Sequence, residues 1–108
     1  MPQEGVLNLV AEILRLMGEP TRLKILLACM DKPMSVTELS ERFKLSMPLT
    51  SHHIGLLKSM QLIQAERQGK QVFYHLKDEH VQCILADLLN HFGEEALCHN
   101  VPLKDSSE

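Results

Sequence analysis

Two helix-start signals close together constrain this chain more than anything else in it. Ser35-Val36-Thr37-Glu38 is a capping box, in which the Ser35 hydroxyl and the Glu38 carboxylate each accept a hydrogen bond from the other's otherwise orphaned backbone amide. Ser46 is a second cap, and Pro48 is tolerated in the first turn of the helix that Ser46 opens. The helix between the two signals must be short, ending near Arg42, and Phe43-Lys44-Leu45 must make a tight connection. A short helix, a turn of three or four residues and a second helix opening with small polar residues is the outline of a helix-turn-helix. Ile54, Leu56, Leu57 and Met60 supply the inward face of that second helix.

What flanks this outline extends it. Upstream, Val6, Leu9, Val10, Ile13, Leu14 and Met17 repeat at helical spacing until Gly18 breaks the run. Pro20 and the run Leu23, Ile25, Leu26, Leu27 and Met30 mark a second, more buried helix that ends around Asp31-Lys32-Pro33. Downstream, Leu62 to Ala65 and Val72 to Leu76 are strand-like and are joined by the polar loop Glu66-Arg67-Gln68-Gly69-Lys70-Gln71, a hairpin with charge at its tip. Asp78 then opens a last helix with the apolar stripe Val81, Ile84, Leu85, Leu88, Leu89 and Phe92. The expected fold is mainly α with a β-hairpin wing, a winged helix-turn-helix over residues 1–97, followed by a flexible tail over 98–108.

Charge divides the chain in two. The net charge of −3 conceals a basic middle, where Arg42, Lys44, Lys58, Arg67 and Lys70 face only Glu66. From Gln71 onward, Lys77 and Lys104 stand against Asp78, Glu79, Asp87, Glu94, Glu95, Asp105 and Glu108. Polyanion contact in the middle and cation binding at the end are the jobs this separation implies. A hydrophobic fraction of 44% and a mean hydropathy of −0.07 describe a soluble chain without a membrane partner. Pro2-Gln3-Glu4 has no basic leader character, so a cytoplasmic location is expected. The three cysteines, Cys29, Cys83 and Cys98, form no C-x-x-C pair and no disulfide framework, and Cys29 and Cys83 are expected as small buried hydrophobes.

The acidic end carries Asp78-x-His80-x10-His91-x-x-Glu94, four potential metal ligands along one helix-like segment. On a uniform α-helix His91 returns to within roughly 20° of His80 but stands about 16 Å from it. One ion with bonds of about 2 Å cannot span that gap. An antiparallel copy related by a twofold axis would bring Asp78 and His80 opposite the other chain's His91 and Glu94 and complete two equivalent sites. Two imidazoles and two carboxylates suit tetrahedral Zn(II), with Co(II) as substitute and Ni(II) less favoured. Each residue also has an ordinary reading, Asp78 as a helix cap and Glu94 as a solvated charge.

Four segments then carry a resemblance. Glu19-Pro-Thr-Arg-Leu-Lys-Ile-Leu26, Met34-Ser-Val-Thr-Glu-Leu39, Leu45-Ser-Met-Pro-Leu-Thr-Ser-His-His-Ile54 and Gln68-Gly-Lys-Gln-Val-Phe-Tyr-His-Leu76 resemble, in collinear order, the landmarks of the ArsR/SmtB family of bacterial metalloregulatory repressors. The resemblance implies a homodimer through the first and last helices and a fourth helix that enters the DNA major groove. It implies that Asp78, His80, His91 and Glu94 match the zinc-sensing subgroup. A Cys-x-Cys of the arsenic and cadmium/lead sensors is missing, since Val36-Thr37-Glu38-Leu39 stands in the third helix. Leu27 and Gly93 stand where persulfide-sensing relatives carry cysteines, with Cys29 and Cys83 offset from them. Cys98 and His99 stand where extensions of some nickel/cobalt relatives add ligands, and Asp87 shares the ligand face.

The expected function is a dimeric repressor of operator DNA, released by Zn(II) or Co(II) at inter-subunit sites. Its alternative is a repressor of the same family responding to Ni/Co, or to oxidants or reactive sulfur through cysteines. The residues expected on DNA are Ser46, Thr50, Ser51, His52 and His53 at the start of the recognition helix, with Lys58, Arg67 and Lys70 on phosphates or in a groove. Capping or packing is the alternative for Ser46 and Thr50, and partial burial for His52 and His53. No H-E-x-x-H or nucleophile pattern is present, so neither an enzyme nor a small organic substrate is expected.

Overall fold

Helix boundaries in the computed structural model, which describes residues 1–93, are set by local capping chemistry. Helix α1 (Glu4–Met17) ends at Gly18, whose N–H donates to the Leu14 carbonyl at 2.9 Å. Helix α2 (Pro20–Asp31) starts with proline where a missing N–H costs nothing, and the Glu19 carboxylate accepts from the Arg22 amide at 2.8 Å. Helix α3 (Val36–Phe43) opens on the expected capping box, with Glu38 N–H to Ser35 Oγ at 3.1 Å and Ser35 N–H to Glu38 Oε1 at 3.0 Å. It stops because Lys44 turns left-handed (φ 56°, ψ 50°), after which the Lys44 and Leu45 amides both donate to the Ser40 carbonyl. Helix α4 (Met47–Ser59) follows at once, its Ser46 cap accepting from Leu49 N–H at 3.2 Å. Its far end is a Schellman closure around a second left-handed residue, Gln61 (φ 63°). Leu62 N–H reaches Leu57 O and Gln61 N–H reaches Lys58 O, both at 3.0 Å.

Strands β1 (Ile63–Gln68) and β2 (Gln71–Leu76) form the antiparallel hairpin, with Ile63 opposite Leu76 and Gln68 opposite Gln71. The ladder is longer than the expected Leu62–Ala65 and Val72–Leu76. Glu66 and Arg67 pair with Phe73 and Val72 instead of looping, and the turn is only Gly69-Lys70. A solvent-exposed ribbon needs backbone pairing but no apolar side chains, so polar residues extend it. Gly69 at φ 66° supplies the positive dihedral that a two-residue turn requires. Glu66 Oε1 lies 3.6 Å from His75 Nε2 across the strands. On the other edge of β2, Met34 from the α2–α3 connection exchanges backbone bonds with Tyr74 at 3.0 and 2.8 Å, tying the helix-turn-helix to the wing.

The chain divides into two units, Met1–Asp78 and Glu79–Glu108. In the first, Ile25 and Leu26 of α2, Leu39 of α3, Leu57 of α4 and Ile63 of β1 are almost wholly removed from water. Each such side chain contributes about 1.5–3 kcal/mol of transfer free energy. Cys29 is buried as expected, and burial pushes its thiol up to about 12. Along α1, Leu16 and Met17 are buried while Val6, Leu9, Val10 and Leu14 are exposed.

In the second unit α5 (Glu79–Leu88) buries Val81 and Leu85 and leaves Ile84 and Leu88 exposed. The uniform last helix expected from the stripe is not what forms. After Leu88 the chain makes one π-helical turn, Leu89–Gly93. Within it His91 packs edge-on against Phe92 at 4.6 Å between ring centres. Cys83 is exposed, not buried, because it lies off the Val81/Leu85 line. The tail expected from residue 98 lies outside the described residues.

Candidate nucleic-acid interface and metal half-sites

Helix α4 has two distinct sides. Thr50, His53, Ile54 and Leu57, spaced three or four apart, face inward and are buried. Pro48, Ser51, His52, Gly55, Lys58 and Ser59 are exposed. Of the residues expected on DNA, Ser46, Ser51, His52, Lys58, Arg67 and Lys70 are therefore at the surface. Thr50 and His53 are not, and their expected place on DNA is corrected to a place in the packing. Thr50 is 0% exposed and its Oγ1 donates to the Ser46 carbonyl at 2.8 Å. His53 is 8% exposed, with its Nδ1 3.4 Å from Arg22 Nη1. Their spacing with Ile54 and Leu57 was the signal for this, masked by their polar side chains. The exposed apolar residues Met47 and Leu49 flank the helix start and did not figure among the expected contacts.

Arg22 was also missed. Its Nε donates to the Leu16 carbonyl at 2.9 Å and its Nη1 approaches His53, so one side chain joins the end of α1 to the middle of α4, while its backbone amide donates to Glu19 at the start of α2. Arginine only donates, so a hydrogen bond at this contact requires His53 Nδ1 as the acceptor, a role that only the neutral ring can fill. Burial lowers the His53 pKa from its ordinary value, Glu19 opposes the shift, and Arg22 and His52 add to it. The Glu19-x-x-Arg22 cap spacing was legible in the sequence; the reach to Leu16 was not.

The basic residues of the middle segment, Arg42, Lys44, Lys58, Arg67 and Lys70, are all exposed, on α3, the turn, α4, β1 and the wing tip. This places positive charge around the start and end of α4 and on the wing, the arrangement by which phosphates position a helix over base edges.

Of the four expected metal ligands, Asp78 precedes α5, His80 lies in its first turn, and His91 lies in the π-turn, all exposed. Glu94, with Cys98 and His99, lies outside the described residues. Among the described residues no three His, Cys, Asp or Glu side chains gather into one cluster. The donor types suit a borderline divalent ion, and the residues fit it as halves of a site, not as a whole one. The π-turn departs from the α-helical period, so His91 does not hold the uniform-helix position relative to His80.

A three-dimensional outline of helix-turn-helix, hairpin wing and exposed second helix defines a winged-helix DNA-binding transcription regulator. Residues 19–65 match the profile of the bacterial regulatory protein, arsR family. The chain is 33% identical over 96 residues to the HTH-type transcriptional repressor SmtB of Mycobacterium tuberculosis, covering 89% of this chain and 71% of that one. It is 30% identical over 88 residues to the cadmium resistance transcriptional regulatory protein CadC homolog of Staphylococcus aureus, covering 81% and 73%. In structure it resembles the homodimeric winged helix-turn-helix DNA-binding domain Mb0332 of Mycobacterium bovis, with a TM-score of 0.78 and 25% identity over 88% of this chain and 87% of that one. The chain belongs to the ArsR/SmtB family of transcriptional repressors. Its relatives and its fold are those of DNA-binding regulators, not enzymes. No helix among the described residues is long and apolar enough to cross a membrane.

Proposed function

We propose that this chain is a cytoplasmic repressor that binds operator DNA as a homodimer and is released by Zn(II), with Co(II) as a substitute. The observation that carries the reading is the placement of exposed His80 and His91 at opposite ends of one segment, His80 in the first turn of α5 and His91 in the π-turn that follows it, too far apart along the axis for one ion to hold both. Two such half-sites, Asp78/His80 and His91/Glu94, are complete only with a second copy. The exposed apolar rows support that partner: Val6, Leu9, Val10 and Leu14 on α1, and Ile84, Leu88, Leu89 and Phe92 on α5 and the π-turn. On DNA, Ser46, Ser51 and His52 face the base edges while Lys58, Arg67 and Lys70 take phosphates.

Bound zinc would supply a four-ligand crosslink between the two chains. If zinc weakens DNA binding by some factor, DNA weakens zinc binding by the same factor. Oxidant sensing through Cys29 and Cys83 is the less favoured reading, because Cys29 is buried and its thiol is held protonated. The test is a titration, at fixed salt, of the full-length chain against the tightest duplex it selects from a randomised library, with and without zinc. The wild type should lose at least tenfold in affinity at saturating zinc, and His91→Ala should lose little. Undiminished wild-type affinity in zinc would sink the sensor reading.

A further inference from the structure

Gly55 sits in the interior of α4, where glycine is among the poorest residues for helix stability. No neighbour among the described residues accounts for it. A Cβ added there would meet no atom of the described residues within 4 Å, and its φ is not one of the positive values that favour glycine. Its direction is informative. With 100° per residue, buried Thr50, His53, Ile54 and Leu57 define the inward side, and Gly55 lies within roughly 30° of the opposite pole, beside Pro48, His52 and Ser59. The helix therefore gives up stability on the side of its surface turned away from the core.

We propose that Gly55 is a groove-contact position that sets how deeply α4 enters the DNA major groove. Without a side chain at 55, the helix backbone can come to van der Waals distance of the base edges. Ser51 and Ser59, one turn to either side, carry short side chains that reach base edges only if the helix sits that close. A larger residue at 55 would hold both off the groove floor while leaving Lys58, Arg67 and Lys70 able to reach the phosphates. Gly55 is thus a specificity residue, acting through depth of approach. The inference rests on α4 being the DNA-reading helix.

The test uses the full-length chain, its library-selected duplex and a random-sequence duplex at the same salt, with Gly55→Ala, Gly55→Leu and His52→Ala. Gly55→Ala should raise the thermal midpoint by a few degrees yet weaken the selected duplex about tenfold, with Gly55→Leu weakening it further. Random-sequence binding and its salt slope should change less than twofold, since phosphate contacts set both. If Gly55→Ala stabilises the protein and binds the selected duplex as tightly as the wild type, or if it destabilises the protein, the inference is overturned. If His52→Ala weakens selective binding while the Gly55 variants do not, only the role of Gly55 falls. If all three bind like the wild type, the reading of α4 falls with it.

Discussion

Replacing Thr50 by valine separates packing from DNA contact at the start of α4. The Thr50 hydroxyl is wholly buried and donates to the Ser46 carbonyl at 2.8 Å, but that carbonyl also accepts the Thr50 amide at 3.0 Å. Valine has nearly the same shape and leaves no orphaned acceptor, so the loss is one net hydrogen bond, about 0.5–1.5 kcal/mol. For a domain of this size that lowers the thermal midpoint by about 4–8 °C per kcal/mol. Thr50→Ser keeps the hydroxyl and removes one buried methyl, about 1 kcal/mol. Both variants should bind the selected duplex within twofold of wild type, measured by fluorescence anisotropy without zinc, alongside urea unfolding at one fixed protein concentration because a dimer's stability depends on it. A tenfold loss of DNA affinity in Thr50→Val, restored in Thr50→Ser and without a change in unfolding, would show the hydroxyl on DNA and refute the packing argument.

His53 sets a pH dependence of stability. Its folded-state pKa lies below the ordinary 6.5, mainly through burial, so the unfolded chain takes up the proton first. The neutral ring's contribution is fully present above about pH 6.5 and is lost as pH falls through the folded value. His53→Gln should flatten the change in urea midpoint between pH 7.5 and 5.5, and an unchanged slope would contradict the assignment. For Cys29, a thiol moved from 9.0 to about 12 carries about a thousandfold less thiolate at neutral pH. Peptide-resolved maleimide labelling should modify exposed Cys83 rapidly and Cys29 only in urea; equal rates in the native protein would be incompatible with this burial.

The caps at Ser35 and Ser46 were legible because a cap is a local event, settled by one side chain and one amide three residues away. The closure at Gln61 was not, since glutamine gives no sign of a left-handed turn. The inward side of α4 was only half legible: Ile54 and Leu57 announced it, whereas Thr50 and His53 were expected on DNA, with packing and partial burial as the alternative that their spacing favours. The length of the wing was hidden for the opposite reason, because Glu66, Arg67 and Gln68 pair through their backbones. For the candidate metal site, the ligand types and their wide spacing were visible, but a change of helical pitch at Leu89 depends on hydrogen bonding that no period of side chains encodes.

Among the described residues Lys44 and Gln61 are the two left-handed residues other than glycine, Lys44 two residues before the Ser46 cap of α4 and Gln61 directly after its Met60 cap. Only a few per cent of non-glycine residues adopt such angles, and a side chain there leaves the joint fewer alternatives than glycine would. A thirteen-residue helix is about 20 Å long, so a tilt of about 10° would swing its far end by about 3 Å, enough to miss a base edge. Two recognition helices of a dimer must meet half-sites about 34–36 Å apart at the same moment. If the chain pairs as proposed, stiff joints at both ends of each helix would make the dimer a caliper, sensitive to the spacing between operator halves.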